Sequence, residues 1–306
     1  MKRRIAIIGT GWVGASVAIS TLFSGIGDEL MVDDIRKDVA EGEAMDLAHG
    51  ASFYPSAIVR TATIDEMNDA DVIVVAAGRG GRPGESRLEL LRDNATVIRT
   101  IGEQVRGYRG TIVMVTNPVD VLTHVMTTVS GLPPARVVGT GTMLDTARLK
   151  QIISHLVDID PRSIHAHVVG EHGDSEVVLW SAARIAGIPL RAWPNWNAGR
   201  EPALAEEVRQ AAQQIIRRKG ATNHAIGLVT ADLLRCLIRD ERRVLTVSRV
   251  QEGALGLANV ALSLPAVVGS QGAADVLEPE MDADERRALQ HSADVLRRAA
   301  GEAGRT

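Results

Sequence analysis

Four short runs of β-branched and small apolar residues, IAIIG (5–9), VIVVAAG (72–78), TIVMVTN (111–117) and RVVGTG (136–141), alternate with helical patterns through the first half of the chain. They are apolar at successive positions, without polar alternation, so both faces of each strand must be covered. Strands covered on both faces and separated by helices are βαβ units. The first half is therefore expected to be a doubly wound α/β unit on a parallel sheet. From about residue 142 the pattern changes to longer helices mixed with hairpin-like strands, RRVLTVSRV (242–250) and VALSLPAVVG (260–269). Two units are expected in the 306 residues, 1–141 and 142–306, the second a mixed α/β domain. In the second, a helix starts near Pro202, and Leu204, Val208, Ala211 and Ile215 form a stripe that packing explains, ending at Gly220. A last helix is expected from Asp282, with Glu285 at capping-box spacing and Leu289 and Leu296 facing the core.

Charge and composition remove several classes of partner. A formal charge of −4 with interspersed signs leaves no polycationic footprint for nucleic acid, and no basic amphipathic stretch points to a membrane. A small molecule is the expected partner. The opening MKRRIAIIGTG breaks at glycines too early for a signal or spanning segment, so a cytoplasmic protein is expected. The single cysteine, Cys236 in ADLLRCLIRD, has apolar neighbours and reads as a buried structural thiol.

The first chemistry is at Gly9, Gly11 and Gly14 in GTGWVG. A lone GxGxxG is weak, but this one follows a strand, opens a helix, and is followed twenty residues after Gly14 by Asp34, at the end of ELMVDD. Gly9 allows the tight turn, Gly11 lets backbone N–H groups approach a pyrophosphate, and Gly14 permits close helix–strand packing. An acid in this place accepts from the adenosine ribose hydroxyls and repels an extra phosphate, so a Rossmann domain binding NAD is expected. Asp33 occupies a place suited to an apolar strand residue. Either acid could face the ribose, and the spacing back from EGEAMDL (41–47) favours Asp34.

The segment HAHVVGEHGDSEVV (165–178) holds three histidines. His165 and His167 share one side of a strand, but no further ligand lies at a recognisable spacing, so no metal is expected. His172 follows the strand in a glycine-flanked turn, from which an imidazole can reach a cleft. Hydride transfer from a secondary alcohol also releases the hydroxyl proton, and imidazole suits that exchange in both directions. In GTGTMLDTARLK (139–150), Asp145 can orient the ring. Arg148, three residues on along the same helix face, can hold a carboxylate through two parallel bonds. Carboxylate anchor, carbonyl and proton donor together describe a site for a 2-oxo or 2-hydroxy acid.

With AAGRGGRPGESRLELLRDN (76–94), VTNPVDVLTHV (115–125), VGEHGDSE (169–176) and KGATNHAIG (219–227), these motifs resemble, in order and over essentially the whole chain, the lactate/malate dehydrogenase family. The resemblance implies NAD-dependent interconversion of pyruvate and L-lactate. It makes His172 the proton donor and acceptor, Asp145 its orienting acid and Arg148 the carboxylate anchor. It further makes Arg87, on a closing loop, the group that polarises the ketone. Asn117 contacts substrate and nicotinamide, and Thr222 lines the side-chain pocket. Cofactor contacts come from Gly9, Gly11, Val13, Gly14, Asp34, Gly78 and Asn117. A homo-oligomer is implied, with a tetramer favoured. Lys150 and His165 stand where bacterial lactate-type members bind a sugar bisphosphate between subunits.

One position departs from the family pattern. Malate-type members carry Arg and lactate-type members Gln three residues after the AG pair, where this chain has Gly81. Arg79 and Arg82 are nearby cations, whereas Glu85 before Ser86 matches lactate-type loops and repels a second carboxylate. His224 stands where lactate-type members often carry Trp. L-lactate dehydrogenase is the leading expectation. The alternatives are a malate dehydrogenase, a relaxed dehydrogenase taking bulkier 2-oxo acids, and an NAD-binding protein without catalysis, which would need none of the proton machinery.

Overall fold

The computed structural model describes residues 2–81 and 87–303, and of Arg87 the backbone alone. The first half runs β1 (Arg4–Ile8), α1 (Trp12–Ser24), β2 (Glu29–Asp33), α2 (Lys37–His49), β3 (Ile58–Thr61), the single turn α3 (Ile64–Met67), β4 (Val72–Val75), α4 (Arg87–Gln104), β5 (Thr111–Met114), α5 (Val119–Ser130) and β6 (Val137–Gly139). After it come α6 (Met143–Val157) and the two-residue strands β7 (Ile164–His165), β8 (Val168–Val169), β9 (Val177–Val178), β10 (Arg184–Ile185) and β11 (Ile188–Pro189). The chain then continues through α7 (Glu201–Lys219), α8 (His224–Arg239), β12 (Arg243–Glu252), β13 (Ala258–Gly269), β14 (Gly272–Val276) and α9 (Ala283–Ala303).

Among the described residues nine strands form one sheet, in the order β14-β13-β12-β6-β5-β4-β1-β2-β3. Every neighbouring pair from β3 to β6 is parallel. This is the doubly wound Rossmann arrangement, whose strand order reverses between β1 and β4. A crevice opens there beyond the carboxyl ends of the strands. The expected hairpin strands are β12 and β13, antiparallel to one another. They extend the parallel sheet, because Ser248 of β12 pairs with Gly139 of β6.

The unbroken apolar runs are explained by what covers them. Ile8, Ile73, Val75, Ile112 and Met114 face a core completed by Ile98 of α4, Leu122 of α5 and Leu289 of α9. Ile5, Ile7, Val72, Val74 and Val113 face the opposite core, with Val17 of α1, Leu47 of α2 and Leu234 of α8. Successive strand residues point to opposite faces, so each face receives alternate residues of the same run. Cys236 lies in the second core with its Sγ on the Val268 carbonyl, and burial pushes its thiol up.

A third core joins Leu149 and Ile153 of α6 to Ile164 and Val168 and to Leu204 and Val208 of α7. The α7 stripe is core only in its first half. Packing against α6 ends at Val208, and Ile215 and Ile216 beyond it are exposed. The start of α9 is capped reciprocally: Asp282 Oδ1 accepts from the Glu285 amide at 2.9 Å, and Glu285 Oε2 accepts from the Asp282 amide at 3.0 Å. Leu289 and Leu296 are buried. Among the described residues no helix is long and apolar enough to cross a membrane.

Candidate active site

The glycine turn after β1 leaves no room for side chains. Gly9 adopts φ +97°, and a Cβ there would lie 2.5 Å from the Ala77 amide nitrogen. A Cβ on Gly14 would lie 1.8 Å from the Gly9 carbonyl oxygen, so α1 can approach β1 only with glycine in this place. Gly11 differs, since among the described residues nothing lies within 4 Å of a Cβ built on it. The start of α1 therefore has open space beside it, and a helix start leaves its first amides without intrahelical partners, the arrangement that receives a phosphate.

That space is a cavity of about 1000 Å³ at the sheet's switch point, lined among others by Gly9, Gly11, Asp33, Asp34 and Gly78. Val13 is not on its wall and packs partly buried against the second core. Asp34 Oδ2 accepts from the Thr10 amide at 2.9 Å, and Oδ1 accepts from the Arg36 amide at 3.1 Å. Burial opposes ionisation, but these donors and the Arg36 guanidinium outweigh it and hold the carboxyl below its ordinary value. Asp33 is also on the wall, and its charge is answered by the Lys37 ammonium one helical turn later. A dinucleotide-sized cavity, a cradle that excludes Cβ atoms and a fixed negative charge at the end of β2 fit NAD.

His172, Asp145 and Arg148 come together at a second place. His172 Nδ1 lies 2.5 Å from Asp145 Oδ2, and Arg148 Nη1 donates to Asp145 Oδ1 at 2.8 Å. The side chains are 23%, 3% and 11% exposed respectively, so the imidazole opens outward while the acid behind it is sealed. Burial disfavours the imidazolium, but the Asp145 carboxylate overrides it and raises His172 to about 9. Burial likewise works against the Asp145 charge, and the two cations hold the carboxyl below its usual range.

Sequence reasoning did not find the groups that fix this turn. Thr142 Oγ1 donates to the Val168 carbonyl at 2.5 Å, and the Val168 amide donates to Thr146 Oγ1 at 3.0 Å, latching α6 to β8 on either side of Asp145. Gly170 and Ser263 of β13 exchange two backbone bonds of 2.9 Å. The Glu171 amide donates to Ser292 Oγ at 2.8 Å and the His172 amide to Asp120 Oδ2 at 2.7 Å. Burial raises Asp120 to about 6. Its only sequence signal was an acid in the first turn of an apolar helix, within NPVDVL (117–122).

The remaining candidates follow the carboxyl ends of β4 and β5 or lie around the turn before α8. Asn117 follows β5 and is exposed, with its Oδ1 accepting from the Val119 amide at 3.2 Å. Gly78 follows β4, where a Cβ would meet Thr116 Cγ2 at 2.5 Å. Thr222 is half-buried in the turn between α7 and α8, which is tied to α1 by Asn223 Nδ2 donating to Ser16 Oγ at 2.9 Å. His224, which starts α8, is exposed. Among the described residues neither Asn117 nor Thr222 hydrogen-bonds to the His172 group. Arg79 is ion-paired with Asp93 at 2.7 Å, and Gly81 is exposed. The Arg87 side chain, Arg82, Glu85 and Ser86 lie outside the described residues.

Lys150 is partly buried on α6, where burial and the Arg243 charge lower its ammonium, while His165 is exposed on β7. Burial and the charges of Lys150 and His165 lower His167 to about 4. Among the described residues no three histidine, cysteine or acidic side chains gather as a metal site.

A Rossmann sheet with a dinucleotide cradle beside an imidazole–carboxylate–guanidinium group defines a nicotinamide-dependent dehydrogenase of small acids. The chain belongs to the lactate/malate dehydrogenase family. Residues 3–139 match the model of that family's NAD-binding domain and residues 142–304 that of its α/β C-terminal domain. It is 42% identical to an L-lactate dehydrogenase of Synechococcus sp. (strain JA-3-3Ab), over 95% of this chain and 96% of the relative. It is also 42% identical to one of Kosmotoga olearia, over 97% and 95%. The crystal structure of a minor L-lactate dehydrogenase from Enterococcus mundtii superposes with a TM-score of 0.95, at 35% identity and 98% coverage of both chains.

Proposed function

We propose that this chain is an NAD-dependent L-lactate dehydrogenase, with His172 as proton donor and acceptor. The observation carrying the reading is the imidazole held 2.5 Å from a sealed carboxylate that also accepts from Arg148. Bound NAD supplies the hydride acceptor, and NADH the donor. Arg148 binds the substrate carboxylate with the guanidinium edge not turned to Asp145. His172, with its Nδ1 proton on Asp145, presents Nε2 to the substrate oxygen and takes up or returns the hydroxyl proton. Arg87, the first residue of α4, is assigned by resemblance to polarise the carbonyl as charge develops on oxygen. Asn117 and Thr222 are assigned the nicotinamide side and the side-chain pocket. We assign residues 1–141 to cofactor binding and 142–306 to the substrate domain.

A panel of kcat/KM values with NADH and pyruvate, oxaloacetate, 2-oxobutyrate and a branched 2-oxo acid tests the reading. Pyruvate is expected to lead, and a clear preference for oxaloacetate would replace lactate by malate. Gly81 is where the choice is made. Among the described residues the nearest atom to a Cβ there would be Leu90 Cδ2, at the ordinary contact distance of 3.6 Å. Gly81→Arg is expected to move the kcat/KM ratio toward oxaloacetate by about 10- to 150-fold, the worth of one charge-assisted pair of roughly 1.5–3 kcal/mol. An unmoved ratio would mean that Gly81 does not face the substrate side chain.

The reading carries with it a cytosolic homo-oligomer, with a tetramer favoured. It is supported by large apolar side chains left outward on a single chain, Phe23, Phe53 and, on α7, Ile216. We also assign Lys150 and His165 to an anionic effector, because an anion would relieve the repulsion between Lys150 and Arg243. Millimolar fructose 1,6-bisphosphate is expected to shift the pyruvate saturation curve modestly to lower concentration. A curve that stays in place removes this assignment.

A further inference from the structure

Four residues beyond His172 stands a buried acid that the proton transfer above does not use. Glu176 is 5% exposed, and its Oε1 is buried without a hydrogen-bond partner among the described residues. Its neighbour Glu171 is satisfied, accepting from the Ser175 amide at 3.1 Å and from Ser175 Oγ. The charges acting on Glu176 are Asp145 and Arg148 from α6, His172 from the turn and Arg209 from α7. Asp120 of α5 and Glu171 complete the acidic surroundings of the turn. Burial first, and then the Asp145 charge, push Glu176 up to about 8, against the pull of the three cations.

We propose that Glu176 is a positioning residue whose charge state gates the binding of the 2-oxo acid carboxylate. This rests on the reading of Arg148 and His172 given above. With Glu176 neutral, the Arg148 guanidinium and the His172 imidazolium meet an anionic substrate with one acid fewer beside them. Ionised, Glu176 adds a negative charge that weakens their pull without touching the substrate. An aliphatic residue would fill the space with no titration. A carboxyl there gives the site a second proton whose loss weakens carboxylate binding.

The test is the pH dependence of the oxamate Kd, measured on NADH-saturated enzyme. Oxamate is an unreactive isostere of pyruvate, so binding is read without turnover. In the wild type, log Kd is expected to rise above about pH 8 with a slope exceeding one proton, from Glu176 and His172 together. Glu176→Gln fixes the neutral form. Its slope should fall to one, and at about pH 9 it should bind oxamate roughly tenfold more tightly than the wild type, the curves converging below about pH 7. Parallel curves, or a variant uniformly weaker at every pH, would overturn the proposal.

Should Glu176→Gln not fold, Arg209→Gln removes a cation that favours the ionised acid and is expected to move the limb due to Glu176 to higher pH. A limb that does not move is equally fatal. Pyruvate turnover by the same preparation keeps the two readings apart. No turnover with a two-proton slope sinks the dehydrogenase assignment but leaves the role of Glu176 standing, whereas no oxamate binding at any pH removes both.

Discussion

Asp145→Asn is expected to lower kcat/KM for pyruvate on the order of 100-fold at about pH 7.5, and to move the alkaline loss of activity toward acid. Two forces act on His172. Burial favours the neutral ring, and the Asp145 carboxylate favours the imidazolium strongly enough to raise it from 6.5 to about 9. Asparagine keeps the shape and can still accept the Nδ1 proton, but it brings no charge, so burial then prevails. Across the window from 6.5 to about 9 the wild type holds a proton that the variant lacks. In the proposed reaction, ketone reduction draws on that proton.

The same shift is a statement about stability. A group whose folded-state value is raised contributes stability that is fully present below its unfolded value and is lost as pH rises through the folded one. The His172–Asp145 pair therefore stabilises the wild type below 6.5 and stops doing so by about 9. Asp145→Asn should flatten that part of the Tm profile. A pH–rate profile that is unchanged, with full activity, would take Asp145 out of the proton relay.

Local periodicity made the scaffold legible. Continuous Val and Ile runs imply cover on both faces, and the two cores supply it with alternate residues of each strand. The glycine turn was legible because its spacing, the preceding strand and the acid of β2 are all local. Asp145 and Arg148 were readable as a pair for a similar reason, since residues three apart share a helix face. The clamp on the turn that carries His172 was not. Asp120 is 52 residues from His172 and Ser292 is 121 from Glu171, and nothing local in a helix start or a serine within a helix says which distant amide it will meet.

The same limit applies to β12, whose attachment to β6 rests on one registered pair, Ser248 and Gly139. An apolar stripe does not say how far its partner extends, and so the spacing includes Ile215 although α7 leaves its support after Val208. Asp33 read as a misfit because its compensation, the Lys37 ammonium, belongs to the next helix.

Arg148→Lys is expected to raise KM for pyruvate at least about 10-fold with a smaller change in kcat, because one charge-assisted bond of roughly 1.5–3 kcal/mol is lost in ground and transition states alike. Arg148 is nearly enclosed and already gives one donor to Asp145 at 2.8 Å. A guanidinium has five donors in a planar fork, so it can keep Asp145 on one edge and hold a carboxylate through two parallel bonds on another. An ammonium is a point charge on a flexible stem, and it must choose between the two. The alkaline limb set by His172 should move little in this variant, since the Asp145 carboxylate stays in place. That separates it from Asp145→Asn, in which KM and the pH profile change together. A wild-type KM in Arg148→Lys would place the substrate carboxylate on another cation.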